Sequence, residues 1–243
     1  EISTPRVNLS GADTLPKPAL RDIPVMVTGH SRQSVEWIAE HGDGWLYYPQ
    51  NIAQQAMTQL LRLQQILCGY IPTDDGIKEI PTRRLDAMAE AIEEMTGKVI
   101  IWARFRRDIE QIVERLRKDY GDNSVGAYYG DTSDEDREAL VVNFQDPDHE
   151  TRFFVGNPQT AGHGLTLTAA HNVLYFSNDF NLETRVQSED RCHRIGQTHN
   201  VTYVDLITEG TVDEHIVRTL QNKIKLAGAA LGEEMRQWLN LKR

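Results

Sequence analysis

Apolar residues recur along the chain with two periods, and the switch between them predicts its elements. Short runs dense in branched and aromatic side chains stand at 23–28, 98–102, 124–129, 152–155, 172–176 and 200–207, and each reads as a strand. Between them the spacing becomes that of amphipathic helices. Met57, Leu60, Leu61, Ile66 and Leu67 predict a helix over 51–70, and Pro-Thr-Asp-Asp-Gly at 72–76 reads as a turn-rich loop. Leu85, Met88, Ile92 and Met95 make a narrow stripe on a helix that Thr82 caps and Gly97 ends. Ile109, Ile112, Val113 and Leu116 line the helix expected at 108–118, and Leu140, Val141 and Phe144 line the one after Thr132. Val212, Ile216, Leu220 and Ile224 follow from 210, and Leu231, Met235, Trp238 and Leu239 predict a last amphipathic helix. Strands alternating with helices predict an α/β fold, a mainly parallel sheet covered on both faces in three αβα layers.

The first fifty residues carry a βαβ pattern of their own. The strand at 23–28 ends at Gly29, Ser31 can cap a helix bearing Val35, Ile38 and Ala39, and Gly42 and Gly44 break it before a strand at 45–48. The expected organisation is therefore a βαβ appendage over 1–56 and a main domain over 57–243.

Composition narrows the setting. An apolar fraction of 40% supports a full core, and no run approaches the ~18 apolar residues of a membrane span. The beginning of the chain has no basic region followed by an apolar stretch, so no secretory signal is expected. Cys68 and Cys192 stand far apart without a CxxC, which supports neither a zinc site nor a disulfide, and a reducing cytoplasm is the expected setting. A formal net charge of −10 argues against tight non-specific DNA binding by the chain alone. A narrow phosphate-tracking groove depends on local sign and survives that argument.

The densest chemistry lies at 187–197. Arg191 and Arg194, three apart, share a face on a helical turn, and a guanidinium pair suits neutralising a transferring phosphoryl group. Gln187 can join that face to bond a phosphate or an attacking water, and Glu189 and Asp190 can hold the arginines in register. The same residues also suit a solvated helix laced with salt bridges. Upstream, the strand at 152–155 opens into small residues with a helix expected behind, a pattern that turns backbone N–H groups toward an anion. Arg104 and Arg106 follow the carboxyl end of the strand at 98–102, where open α/β sheets bind ligands; plain solvation suits them equally. Thr132 and Glu135 fit a capping box whose helix N-terminus is also an anion site. Nowhere is there a G-x-x-x-x-G-K-[ST] loop, nor an Asp-Glu pair behind an apolar strand.

Asp-Arg-Cys-His-Arg-Ile-Gly-Gln at 190–197, with Gln187 before it, resembles motif VI of the Swi/Snf-like group of superfamily-two helicases and DNA translocases. The resemblance runs over about 57–226 in the family's order of motifs and implies a RecA-like second motor lobe. It implies that Arg191 and Arg194 reach across a cleft to ATP on the other lobe while Gln187 organises the nucleotide. Gly162, Gly164 and Asp190 fall on the nucleotide side. Thr132 and Ser133 resemble the Gly-x-Thr-Ser motif that grips a DNA phosphate, Thr160 the backbone contact of motif V, and Arg104 and Arg106 the loop of motif IV. The family's Trp-Asn-Pro is here Phe180, Asn181 and Leu182, which leaves the local turn to be established. ATP and magnesium are implied only together with a missing first lobe, on duplex DNA, with no protein metal ligand and no membrane.

Residues 22–50 instead resemble a late segment of luciferase-like, flavin-dependent monooxygenases. Two strands cannot close a barrel, so no flavin is expected there. Two families in one chain imply a chimera joined near 50–57, beside the alternative of an ordinary βαβ unit. Two further functions stay open: a non-catalytic scaffold or nucleic-acid-binding module, and a flavin oxidoreductase fragment.

Overall fold

The computed structural model describes residues 2–3, 8–9, 26–28, 37, 40–41, 44–46, 52–130, 132–160 and 164–231. The chain divides into two compact units, 1–56 and 57–243. In the first, β1 (Ile2–Ser3) pairs antiparallel with β2 (Asn8–Leu9), and β3 (Met26–Thr28) pairs parallel with β4 (Gly44–Leu46). The parallel pair fits the expected βαβ unit. Of the helix opened by Ser31 only Trp37, Glu40 and His41 are described, all three helical, while the 29–31 turn of the monooxygenase resemblance and residues 232–239 of the last expected amphipathic helix lie outside the described residues.

The helix α1 (Ile52–Leu67) is followed not by a loop but by a hairpin, β5 (Tyr70–Thr73) and β6 (Gly76–Glu79). Asp74 and Asp75 make a two-residue turn, which Thr73 closes by donating to the Gly76 carbonyl at 2.9 Å. Gly76 sits at φ +122°, a conformation that side chains resist. The hairpin escapes sequence reading because β6 is exposed along its whole length and so carries no alternation.

Five parallel strands form the main sheet in the order β11–β10–β7–β9–β8. They are β7 (Lys98–Trp102), β8 (Val125–Tyr128), β9 (Phe153–Gly156), β10 (Ala170–Tyr175) and β11 (Thr202–Asp205). The central β7 is buried throughout, and period-two geometry sends its side chains to two cores. Val99 and Ile101 meet α2 (Arg84–Glu93) and α3 (Arg106–Tyr120) through Met88, Ile92, Ile109 and Ile112. Ile100 and Trp102 meet α4 (Asp134–Gln145) through Leu140 and Phe144. Each such side chain contributes roughly 1.5–3 kcal/mol of burial, and together they fix the expected three layers. Two helices complete the unit, α5 (Leu182–Glu189) and α6 (Val212–Leu231).

Two expectations change. Among the described residues no helix separates β9 from β10; the crossover is an irregular segment. The cap of α4 is Ser133 rather than Thr132. Ser133 Oγ accepts from the Asp136 N–H at 3.1 Å and donates to the Asp136 carboxylate at 2.8 Å. Thr132 is spent on the turn after β8, donating to Ala127 O and accepting from Tyr129 N. Ser133→Ala is expected to cost about 1 kcal/mol, read as a lower urea midpoint with unchanged slope.

Candidate functional site

All five strands point their carboxyl ends the same way, so the loops after β7, β8, β9 and β10 gather along one edge. Arg104, just beyond β7, is held there from several sides. Its guanidinium donates to Gln64 Oε1 and lies 3.6 Å from Asp179 Oδ2. Its N–H donates to Ser177 Oγ at 2.8 Å, and its carbonyl accepts from Asn157 Nδ2 at 2.6 Å. The Asn157 Oδ1 in turn accepts from the N–H groups of Gln159 and Thr160, at 2.8 and 3.4 Å. Arg104 and the exposed Thr160 thus belong to one cluster of loops. Arg106 and Thr132 meet at Tyr129, with Ser133 next in the chain: Arg106 stands 5.7 Å from the Tyr129 ring centre and donates to Glu110 at 2.8 Å, and Thr132 Oγ1 accepts from Tyr129 N.

Beneath this edge lies a carboxylate that sequence reading passed over. Asp108, on the first turn of α3, is fully buried and accepts from Ser177 Oγ at 2.7 Å, which braces the ends of β7 and β10 together. Burial pushes its pKa from the ordinary 3.8 up to about 6, against the opposing pull of Ser177 and Arg84. Below about pH 4 folded and unfolded chains both hold this proton; between there and about pH 6 only the folded chain keeps it. The fold therefore loses stability as pH rises through that window, by about 3 kcal/mol from this one group. Asp108→Asn is expected to flatten that part of the urea-denaturation profile between pH 4 and 7. An unchanged difference between pH 4 and pH 7 would show that Asp108 does not titrate there.

From the carboxyl edge α5 runs back along the sheet. Asn181 caps it, accepting from the N–H groups of Glu183 and Thr184 at 2.9 and 3.3 Å, so Phe180 and Leu182 leave the turn intact. Arg185 clamps it down. The guanidinium donates to Glu189 at 2.6 Å, Asn178 at 3.0 Å and Asp205 at 2.6 Å, and stacks 3.5 Å from the centre of the Tyr175 ring.

The helix ends at Glu189, before the arginines. Arg191 and Arg194 sit in turns held by Cys192 N and His193 N on Glu189 O and by Gln197 N on Arg194 O. The expected common helical face of Gln187, Arg191 and Arg194 is not formed, and Gln187 donates instead to Glu183 on α5 at 3.0 Å. The reason is tertiary: the Arg191 carbonyl accepts from Leu167 N at 2.8 Å, and the Cys192 side chain is buried in the second core. Gln197 fixes the far end of the run by donating to the carbonyls of Ala170, Thr168 and Cys192 at 2.8, 3.2 and 3.3 Å. Because Ala170 begins β10, the arginine run lies at the amino end of the sheet, opposite Arg104 and Thr160.

The two arginines differ. Arg191 is only 5% exposed, whereas Arg194 is open to solvent and donates to Thr166 Oγ1 at 3.1 Å. Burial, and next the neighbouring Arg194 charge, push the pKa of Arg191 below its ordinary value, with Asp190 opposing. Two cations in mutual repulsion beside one carboxylate form a local positive spot on an acidic protein. A cleft of about 500 Å³ opens next to it, lined by Asp190, His193, Arg194, Ile195, Gln197 and His199. Gly164, exposed at φ +83°, begins the segment that reaches Thr166 and Leu167; Gly162 lies outside the described residues. Among the described residues no group of three or more His, Cys, Asp or Glu is placed to hold a metal ion, and no helix is long and apolar enough to cross a membrane.

Sequence reading also passed over Gln64, Asp179 and Arg185. Only Arg185 carries a local signal, its i,i+4 spacing to Glu189 on one helix. The partners of the other two come from loops distant in sequence.

Comparison with known proteins bears on the same unit. Residues 83–196 match the helicase conserved C-terminal domain. The chromatin-remodeling ATPase INO80 of Mycosarcoma maydis is 32% identical over 149 residues, which are 61% of this chain and 8% of that relative's length. The solved Sulfolobus solfataricus SWI2/SNF2 ATPase core in complex with dsDNA is 29% identical with a TM-score of 0.58, over 73% of this chain and 38% of that one. The Sulfolobus solfataricus SWI2/SNF2 ATPase C-terminal domain shares the fold at 23% identity and a TM-score of 0.53, over 72% of each chain. The unit that holds residues 83–196 is thus similar to the helicase conserved C-terminal domain, and its mainly parallel α/β sheet has the RecA-like fold of the SWI2/SNF2 ATPase C-terminal domain.

Proposed function

We propose that the chain works as the second motor lobe of an ATP-dependent DNA translocase. It supplies Arg194 and Arg191 to a nucleotide carried by a first lobe and holds the backbone of duplex DNA along the carboxyl edge of its sheet. The observation that carries this is the paired, mutually repelling guanidiniums at the end of α5, the outer one exposed beside an open cleft. Such a pair stabilises charge on a phosphoryl group arriving from outside. Gln187, Asp190 and Gly164 are assigned to the nucleotide side. Arg104, Arg106, Thr132, Ser133 and Thr160 are assigned to DNA phosphates; all five lie along one edge, and the solved relative bound to dsDNA supports that partner.

The fit to ATP and magnesium is partial. Two guanidiniums suit the terminal phosphate, while the metal and the rest of the triphosphate need groups from the first lobe. When bound, ATP would supply the phosphoryl group to be transferred and magnesium would neutralise phosphate charge; the residues here would orient that group and spread its charge. Residues 1–56 are assigned to a separate unit joined near 50–57, dispensable for the fold of the rest. The two buried free cysteines support a reducing compartment such as the cytoplasm.

The test is reconstitution. The chain alone is expected to release phosphate from ATP no faster than buffer, and addition of a separately produced Snf2-type first lobe is expected to give DNA-dependent release. Turnover by the chain alone, or no gain on complementation with a lobe shown to bind ATP, overturns the proposal.

A further inference from the structure

Two sites at opposite ends of a sheet need a mechanical connection, and the 177–181 loop has the geometry of one. Asp179 Oδ2 faces Arg104 at 3.6 Å and accepts from Gln159 Nε2 at 3.3 Å, so one carboxylate touches both the Arg104 segment and the loop bearing Thr160. Its neighbour Asn178 faces the other way. Asn178 donates to Asp205 at 2.8 Å and accepts from Arg185 of α5 at 3.0 Å, and its carbonyl accepts from Gln64 at 2.8 Å. Arg185 then holds Glu189, whose carbonyl anchors the turns carrying Arg191 and Arg194. Hydrogen bonds and ion pairs, joined through the 178–179 peptide and the backbone of Glu189, thus lead from the Thr160 loop to Cys192 and His193, the residues between the two arginines.

We infer that Asp179 is a positioning residue that transmits DNA contact to the arginine run, an inference that rests on the translocase reading above. The Arg104–Asp179 separation of 3.6 Å is longer than a charge-assisted hydrogen bond, and both side chains are about one-fifth exposed (20% and 22%). A DNA phosphate drawn to Arg104 competes with this loose carboxylate. As Asp179 yields, its grip on Gln159 and the set of Asn178 against Arg185 change together. The displaced contact is the signal, and α5 is the lever that carries it to the far edge.

Hydrogen exchange read by mass spectrometry on the chain alone, with and without a short DNA duplex at low salt, tests this without any ATPase. In the wild type, duplex is expected to slow exchange both at 157–160 and at 190–197, the second by at least about fivefold, the lower end of ordinary site-to-site coupling. Asp179→Asn removes the competing charge while preserving the shape. Protection at 157–160 is then expected to stay or rise, while protection at 190–197 is lost. A purely structural Asp179 predicts that both regions lose protection or neither does, and either result overturns the inference. Wild-type protection confined to 157–160 also overturns it but leaves the DNA reading standing; no protection anywhere sinks both. Arg104→Gln serves as the second variant and is expected to lose protection at both regions.

Discussion

Arg194→Ala is expected to abolish most of the DNA-dependent ATPase of the reconstituted motor while leaving the chain's thermal unfolding unchanged. An arginine that stabilises a transferring phosphoryl group supplies about 10³–10⁵ in kcat, or roughly 4–7 kcal/mol of barrier. A solvent-exposed salt bridge in the same place is worth under about 1 kcal/mol and moves the rate only a few-fold. The gap is wide enough to survive incomplete reconstitution. Arg194 is the better target of the two because it is exposed and donates to the Thr166 hydroxyl, so its removal leaves no buried group stranded. Arg191 is buried, and replacing it mixes catalysis with packing. Arg191→Lys, with folding checked in parallel, asks a narrower question: lysine keeps the charge and loses the planar fork, so a fall in rate at unchanged stability assigns the effect to bidentate geometry. Normal turnover with Arg194→Ala would leave 187–197 as structural turns and remove the basis of the proposed function.

How much of this was legible in the sequence depended on whether each signal was local. The strand expected at 98–102 is β7 residue for residue, because a strand buried on both faces writes itself as an unbroken apolar run. The stripe Leu85, Met88, Ile92 packs as expected for the same kind of reason, since burial of one helical face leaves a period in the chain. The hairpin at 70–79 left no such trace, its second strand being wet on both sides. At 187–197 the residue types were readable but their geometry was not. Spacing alone placed Arg191 and Arg194 on a helix, whereas a hydrogen bond from Leu167, some twenty residues upstream, takes the Arg191 carbonyl out of the helical ladder. The DNA-side candidates Arg104 and Thr160 were named singly; that Asn157 joins them follows only from the parallel order of β7 and β9. Arg84 carried a faint signal that was passed over. It stands four residues before Met88 and eight before Ile92, a charged residue on the apolar face, and such a residue needs a partner from elsewhere.

That partner is Asp213, and breaking the pair is expected to have the largest effect on stability of any single change in the main unit. The two side chains are 4% and 6% exposed and meet at 2.5 Å, joining the start of α2 to the start of α6. The same guanidinium donates to the carbonyls of Phe176 and Leu206, at 2.5 and 2.9 Å, where β10 and β11 have just ended and no ladder partner remains. Asp213 also accepts from Thr208 N at 3.3 Å. Arg84→Met keeps most of the volume but strands a buried carboxylate, a buried carbonyl and a half-buried one, and is expected to cost about 3–5 kcal/mol. Against a typical total of about 5–15 kcal/mol, that leaves the unit close to unfolding at 37 °C. The charge pair itself is worth less than the single variant suggests, because most of the penalty is the uncompensated partner. Arg84→Met combined with Asp213→Leu is therefore expected to be more stable than Arg84→Met alone, a non-additivity that a double-mutant cycle in urea measures directly. If the double variant proves less stable than either single, the pair contributes net stability of its own. If Arg84→Met costs under about 1 kcal/mol, water reaches Asp213 and the site behaves as a surface ion pair despite its burial.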